Sequence, residues 1–122
     1  MGHSEEFLAA VEAVRGLVAE VTLREWLEHM STDGTSVLVD VREDHEWERG
    51  HIPAAQHLGR GVLERDAVQR FPDKDTPLVL YCGGGYRSLL AGNSLRDMGY
   101  TRVWSLAGGY KAWVAWKGTS TS

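Results

Sequence analysis

The sequence predicts an α/β fold in which one parallel sheet carries helices on both faces. The chain has 122 residues, of which 43% are hydrophobic and 25% charged, as is typical of one folded domain with one core. Short apolar runs alternate along it with segments of helical periodicity, and this alternation favours parallel strands joined by right-handed crossovers. The runs at 37–39 and 78–81 contain no polar interruptions, as expected for strands that are covered on both faces.

The chain opens with two predicted helices. The first has an apolar face of residues at three- and four-residue intervals, namely Phe7, Leu8, Val11, Val14 and Val18. A short apolar stretch at 18–21 follows, and Thr22 with Glu25 then forms a capping box at the start of the second helix. That helix carries Leu23, Trp26, Leu27 and Met30. The turn-forming residues STDGTS at 31–36 separate it from the first predicted strand.

Four short segments are the predicted strands of the sheet: residues 37–39, which end at Asp40, and residues 56–58, 78–81 and 103–106. The first is followed by a charged turn or short helix at 43–49 that Gly50 closes. Further helices are predicted at 62–71 and 88–98, and a last amphipathic helix at 110–116 precedes a polar tail.

Charge and cysteine content restrict the possible partners and compartment. The net charge of −4 gives no overall basic field that would attract nucleic acid or an anionic membrane. A single cysteine excludes an intramolecular disulfide and multi-cysteine zinc sites, and it favours a reducing compartment. No segment reaches the apolar length of a signal core or membrane span, so we expect a cytoplasmic protein. His45, His51 and His57 lack close metal-ligand spacing, and neither a metal nor a cofactor is expected.

The segment YCGGGYRS at 81–88 is the candidate site of chemistry. Cys82 ends a predicted strand, where sheets of this kind bind their ligands. The glycines at 83–85 allow backbone N–H groups to turn toward the sulfur, and the helix starting near Ser88 adds its unpaired N–H groups. Such surroundings, with the charge of Arg87, favour the thiolate over a free thiol, whose pKa is about 8.5. We therefore expect Cys82 to be a thiolate in a loop that also binds oxyanions.

The loop from Cys82 to Arg87 resembles the six-residue active-site loop of single-domain rhodaneses. VLVDVRE at 37–43 is similar to the family's strand ending in Asp-Val-Arg, GHIPAAQHL at 50–58 to its Gly-His-Ile-Pro-Gly-Ala segment, and AGGYKAW at 107–113 to its closing Gly-Gly-x-x-x-Trp motif. Two features depart from the family pattern. Ala54 stands where the family usually has glycine, and the helix before Val18 lies outside the minimal core.

The resemblance implies a rhodanese-like fold with a single five-stranded parallel sheet. We expect residues 1–17 to be an N-terminal helical extension, 18–117 the rhodanese domain and 118–122 a polar C-terminal tail. The implied activity is a two-step sulfur transfer. A donor such as thiosulfate gives its outer sulfur to Cys82 and sulfite leaves. Cyanide, a small thiol or a protein thiol then takes the sulfur from the persulfide.

The expected catalytic residues are Cys82 and Arg87, and the expected substrate-binding residues are Gly83, Gly84, Gly85, Tyr86, Ser88 and Arg60. Arg60 follows the predicted strand at 56–58 and either faces the rim that carries Cys82 or is a solvated loop arginine. Asp40 and Arg42 are expected to have structural roles near the site. A surface ion pair with the neighbouring Glu43 is the simplest account of Arg42.

Two other functions are compatible with the sequence. One is a cysteine-based phosphatase or arsenate reductase. However, four residues separate Cys82 from Arg87, whereas the related phosphatases, which resemble this fold, have five residues between the cysteine and the arginine of the loop. A reductase would usually also need a resolving cysteine. The other is a non-catalytic rhodanese-like binding module, a type that typically lacks the cysteine found here. A nucleotide site fails because Ser88 stands where a dinucleotide fingerprint needs glycine, and the P-loop lysine is absent.

Overall fold

The structure is a computed structural model that describes residues 2–31 and 36–119. Its helices are α1 (Glu5–Val14), α2 (Leu23–His29), α3 (Asp44–Glu48), α4 (Leu63–Arg70), α5 (Arg87–Asp97) and α6 (Gly109–Thr119). Its strands are β1 (Ala19–Val21), β2 (Val37–Asp40), β3 (Gln56–His57), β4 (Leu78–Tyr81) and β5 (Val103–Leu106). Most of the predicted turn at 31–36 and the end of the predicted polar tail, at 120–122, lie outside the described residues.

The five strands form one parallel sheet in the order β1-β5-β4-β2-β3. This confirms the five-stranded parallel sheet. The apolar pattern alone identified four of these strands and not β1. In β1, which pairs with β5 at the sheet edge, only Val21 is buried, whereas Ala19 and Glu20 are exposed. An edge strand of three residues with two exposed side chains lacks the apolar run that marks a buried strand.

Side chains of the central strand β4 alternate between two hydrophobic clusters, one on each face of the sheet. Leu78 and Leu80 pack with residues of α4 and α5, and Val79 and Tyr81 pack with residues of α2 and α6. All four side chains are fully buried, and burying each aliphatic one contributes about 1.5–3 kcal/mol. Helices therefore cover both faces, as predicted.

The first helix is shorter than predicted. It ends at Val14, and the chain then turns at Gly16, whose φ is 92°. Val18, expected on the helix, instead lies beyond this turn, where it is buried with Val11 and Leu89 of α5. The apolar spacing therefore marked residues that share one cluster, although they do not share one helix.

Helix starts and ends otherwise follow the predicted signals closely. The capping box of α2 is present, with Glu25 N–H donating to Thr22 Oγ1 at 3.1 Å and Thr22 N–H donating to Glu25 Oε1 at 2.9 Å. The last helix continues to Thr119, beyond the predicted end at Trp116. Within the described ranges, no helix combines the length and apolar character needed to span a membrane.

Candidate active site

Cys82 lies directly after β4, at the carboxyl edge of the sheet, and is 1% exposed. Two backbone N–H groups donate to its sulfur: Gly85 N lies 3.1 Å and Ser88 N 3.4 Å from Sγ. Gly85 has a φ of 102°, a left-handed conformation that favours glycine and turns the loop toward the sulfur, as the run of glycines predicted. A side chain at Gly85 would also place its Cβ 3.1 Å from the backbone nitrogen of Gly108. The loop is thus a shaped set of donors around the sulfur.

A pair of buried serine hydroxyls extends the hydrogen bonding of the sulfur. The Cys82 thiol donates to Ser88 Oγ at 3.5 Å, and Ser88 Oγ lies 2.7 Å from Ser105 Oγ. Both serines are fully buried. Because hydroxyls rotate, Ser88 can accept from a thiol and donate to a thiolate. Sequence reasoning missed Ser105, for which the one signal was a polar residue inside the apolar run of β5.

The guanidinium of Arg87 is held by Glu46 of α3 through two hydrogen bonds. Arg87 Nη1 and Nη2 donate to the two carboxylate oxygens at 2.8 and 3.0 Å. This contact lowers the pKa of Glu46 to about 2, helped by the backbone N–H of Glu43 and opposed by burial, and it raises the pKa of Arg87. The charge of Arg87 is therefore compensated, whereas the sequence suggested that it faces only the sulfur and an incoming anion. Glu46 was missed because it lies far from the loop in sequence.

The start of α6 packs directly on the Cys82 loop. Tyr110 N–H donates to the Cys82 carbonyl at 2.8 Å, and Lys111 N–H donates to the Gly83 carbonyl at 3.0 Å. Gly109 has a φ of 51°, and a Cβ there would overlap the Cys82 carbonyl. The glycine pair in AGGYKAW thus permits backbone contact between this helix and the loop. The glycine pair therefore helps to fix the loop, a role that the sequence did not reveal.

An open cavity of about 830 Å³ lies over Cys82. The loop contributes Cys82, Gly83, Gly84, Tyr86 and Arg87 to its lining. Glu46 adds a carboxylate, and α6 adds Lys111 and Ala112. His3 and Phe7 from the N-terminal segment complete a further side, although this segment carried no predicted site residue. Of the expected substrate-binding residues, Gly85 and Ser88 lie behind the surface of the cavity, against the sulfur.

Arg60 is not brought to this cavity. It is exposed in a 3₁₀ turn, Arg60–Val62, after β3, and its side chain is absent from the lining. Of the two alternatives left by the sequence, the solvated loop arginine therefore describes it. Trp47 does not line this cavity and stacks on His51 and His57 at ring-centroid distances of 3.5 and 5.0 Å. Trp116 lines a separate groove between α2 and α6.

Arg42 forms a buried ion pair with Asp40, and the expected surface pair with Glu43 is wrong. Arg42 Nη2 lies 2.7 Å from Asp40 Oδ2 and also donates to the Gly50 carbonyl at 2.7 Å. Asp40 is fully buried and Arg42 is 4% exposed. The guanidinium also lies over the ring of Tyr110, 4.2 Å from its centroid. The pair thus connects the end of β2 to α6, which in turn packs on the Cys82 loop.

No group of three or more His, Cys, Asp or Glu side chains suited to a metal ion occurs among residues 2–31 and 36–119. The groups that the site itself presents are the sulfur of Cys82, its hydrogen-bond donors, and the charged side chains of Arg87, Glu46 and Lys111.

Comparison with known proteins gives consistent matches. The family model described as rhodanese-like domain matches residues 23–115 of this chain. YqhL of Bacillus subtilis, described as uncharacterized, is 40% identical over 76 residues, which are 62% of this chain and 59% of that protein. The thiosulfate sulfurtransferase GlpE of Stutzerimonas stutzeri is 34% identical over 85 residues, which are 70% of this chain and 76% of that protein.

Solved structures extend the similarity to the fold. The human single-domain sulfurtransferase TSTD1 has a TM-score of 0.71 at 30% identity, over 80% of this chain and 96% of that chain. A Rhodopseudomonas palustris protein of unknown function, described as a possible tyrosine phosphatase, has a TM-score of 0.82 at 30% identity. The latter match covers 96% of this chain and 95% of that chain, so it extends into α1.

Proposed function

The chain belongs to the rhodanese-like domain family, and from this premise we propose that it is a sulfurtransferase that carries sulfane sulfur as a persulfide on Cys82. The observation that carries the proposal is the set of donors around Sγ at the base of an open cavity. Two backbone N–H groups and one hydroxyl can stabilise a thiolate there, both before sulfur is loaded and after it is released. The relationship to proteins named thiosulfate sulfurtransferase supports the same reaction class.

In the first step, the Cys82 thiolate attacks the outer sulfur of a donor such as thiosulfate. The new bond joins Sγ to this sulfur, the sulfur–sulfur bond of thiosulfate breaks, and sulfite leaves with the electron pair. The N–H groups of Gly85 and Ser88 hold the thiolate before attack. Arg87 can donate to the sulfite oxygens at the edge of the cavity, where they compete with the carboxylate of Glu46.

In the second step, cyanide or a thiolate acceptor attacks the outer sulfur of the persulfide. The bond between the two sulfurs breaks, and Cys82 leaves as a thiolate that the same donors stabilise. No net oxidation or reduction of the protein takes place over the two steps. Since Cys82 begins and ends as a thiolate, the site needs no general base.

A phosphatase is the competing enzymatic function, and the description of the Rhodopseudomonas relative raises it directly. Two features of this chain argue against it. The loop places four residues between Cys82 and Arg87, one fewer than in the related phosphatases, whose wider loop is sized for phosphate. Arg87 is also engaged by both oxygens of Glu46, whereas phosphate transfer requires its positive charge at the anion.

Thiocyanate formation from thiosulfate and cyanide tests the proposal against both alternatives. We expect turnover by the wild-type protein and none by Cys82→Ser. Hydrolysis of p-nitrophenyl phosphate without thiocyanate formation would establish the phosphatase instead. Inertness in both assays, equal for wild type and Cys82→Ser, would favour a binding module.

A further inference from the structure

We propose that the N-terminal segment is a specificity-determining part of the active site, in which an aromatic wall (His3, Phe7 and Tyr86) and Lys111 select carboxylate-bearing organic thiols as sulfur acceptors. The inference rests on the proposed sulfurtransferase function and names the acceptor class for the same site. His3 and Phe7 precede the residues that match the family, 23–115. They nevertheless line the cavity over Cys82.

The three rings of the aromatic wall contact one another at the mouth of the cavity. The ring centroids of His3 and Phe7 are 4.8 Å apart, and the ring of Tyr86 lies 5.2 Å from His3 and 6.4 Å from Phe7. Tyr86 belongs to the Cys82 loop, so the wall joins the N-terminal segment directly to the catalytic loop. Tyr86, which was expected to bind substrate, is half-buried against α1.

Packing between α1 and α5 holds the wall in place. The buried side chains of Val11 and Val18 pack against Leu89, which lies two residues after Arg87. The N-cap Ser4 accepts a hydrogen bond from Phe7 N–H at 3.0 Å and fixes the start of α1. The rings therefore keep a defined position relative to Cys82.

The cavity is larger than the small inorganic substrates require. Its volume of about 830 Å³ lies in the range of about 300–1,000 Å³ that is usual for sites of organic ligands. Thiosulfate and cyanide would fill a small part of it. An acceptor with an extended organic body would lay its methylene and amide groups on the rings while its thiol meets the persulfide.

The charges around the cavity indicate the second property of this acceptor. Glu46 and Arg87 compensate each other. Lys111 also lines the cavity from the first turn of α6, and the part of the chain that the structure describes gives its ammonium group no ion-pair partner. A carboxylate on the acceptor would supply that partner. Thiol, extended body and carboxylate together define a carboxylate-bearing organic thiol.

Glutathione is the probe for this acceptor class, with cyanide as an acceptor that has no body. The protein is loaded with sulfur from thiosulfate, and transfer to each acceptor is followed at varied concentration. We expect Phe7→Ala to raise the KM for glutathione about tenfold and to raise the KM for cyanide by a much smaller factor. The matched control is Leu8→Ala, whose exposed side chain lies on the same helix outside the cavity lining.

The charge is tested separately with Lys111→Gln, and Lys117→Gln of the same helix is its control. We expect Lys111→Gln to raise the KM for glutathione about threefold, and to leave the KM for glutathione dimethyl ester unchanged. Lys111 is exposed and its backbone N–H is retained, so this variant keeps the fold.

Several results would overturn the inference. The first is a glutathione KM that Phe7→Ala leaves unchanged, or that rises no more than the KM for cyanide. The second is an equal rise in the glutathione KM in Leu8→Ala. The third is an equal effect of Lys111→Gln on the KM for glutathione and for its dimethyl ester. A protein that never takes up sulfur would refute the proposed function and the inference with it. A protein that loads sulfur and is indifferent to Phe7 and Lys111 would refute the inference alone.

Discussion

Replacing Glu46 with glutamine removes the carboxylate that holds Arg87 while it nearly preserves the size and shape of the side chain. The amide oxygen can still accept the hydrogen bond from Glu43 N–H, which Glu46 Oε1 accepts at 3.0 Å. The bidentate contact at 2.8 and 3.0 Å loses its charge and one of its two acceptors, because the amide NH2 group cannot accept a hydrogen bond from Arg87. The variant thus tests the ion pair while it keeps the hydrogen bond at the start of α3.

The size of the effect follows from the pKa of Glu46, which is about 2 in the folded protein against an ordinary value of 4.5. A gap of this size corresponds to about 3 kcal/mol without screening. The side chains of Glu46 and Arg87 are 26% and 33% exposed, so solvent reduces the expected contribution to about 1–2 kcal/mol. Because the folded pKa is lowered, the contribution is complete above pH 4.5 and is lost as the pH falls through about 2.

Urea unfolding at two pH values measures this contribution. We expect Glu46→Gln to lower the free energy of unfolding by about 1–2 kcal/mol at pH 7, and by about half as much at pH 3. The matched control is Glu48→Gln, because Glu48 is exposed on the same helix. An equal loss at both pH values, or an equal loss in the Glu48 variant, would refute the ion pair as the cause.

The same variant has a kinetic consequence of the opposite sign. Without the Glu46 carboxylate, the charge of Arg87 is available to an incoming anion, so we expect the KM for thiosulfate to fall about two- to fivefold. A raised KM would show that Glu46 serves mainly to position Arg87 and that releasing the charge gives no gain.

Three further predictions test the loop and its support. Arg87→Ala should raise the KM for thiosulfate, and Arg87→Lys should restore only part of the affinity because the planar fork is lost; an unchanged KM would make Arg87 purely structural. Gly85→Ala should lower thiocyanate turnover more than about tenfold because its φ is 102° and its Cβ would press on backbone, whereas Gly84→Ala, with open space for its Cβ, should keep wild-type turnover; equal activity in the two variants would contradict the donor geometry. Asp40→Asn should lower the free energy of unfolding in urea by about 3 kcal/mol, since it leaves a buried arginine uncompensated, and a loss below about 1 kcal/mol would mean that the pair contributes little.

Local sequence signals predicted the centre of this site well. The strand Leu78–Tyr81, the cysteine, the glycines and the start of α5 are contiguous in sequence, so their conformations depend mainly on neighbouring residues. The positive φ of Gly85 follows from the need to turn N–H groups toward Sγ. Features whose cause lies within a few residues could therefore be predicted.

Features that depend on distant residues could not. Glu46 reaches Arg87 across 41 positions, and no local pattern distinguishes Glu46 from the other acidic residues of its segment. Arg42 was paired with its neighbour Glu43, but the buried carboxylate of Asp40 was available two residues away in the other direction. Burial strengthens that pairing, and burial cannot be read from a charge pattern alone.

The N-terminal segment also could not be predicted from local sequence signals alone. The spacing of Val14 and Val18 suggested one continuous helix, because the turn at Gly16 returns the chain to the same cluster. That return places Phe7 beside Tyr86. The position of the N-terminal segment beside the Cys82 loop thus depends on tertiary packing between α1 and α5.

The central claim is that Cys82 accepts sulfur from a sulfane donor, and the intact mass of the protein after incubation with thiosulfate tests it most directly. We predict that the wild-type mass increases by one sulfur atom, that cyanide reverses the increase, and that Cys82→Ser gains nothing. A wild-type mass unchanged by excess thiosulfate, or a sulfur gain that persists in Cys82→Ser, would contradict the account.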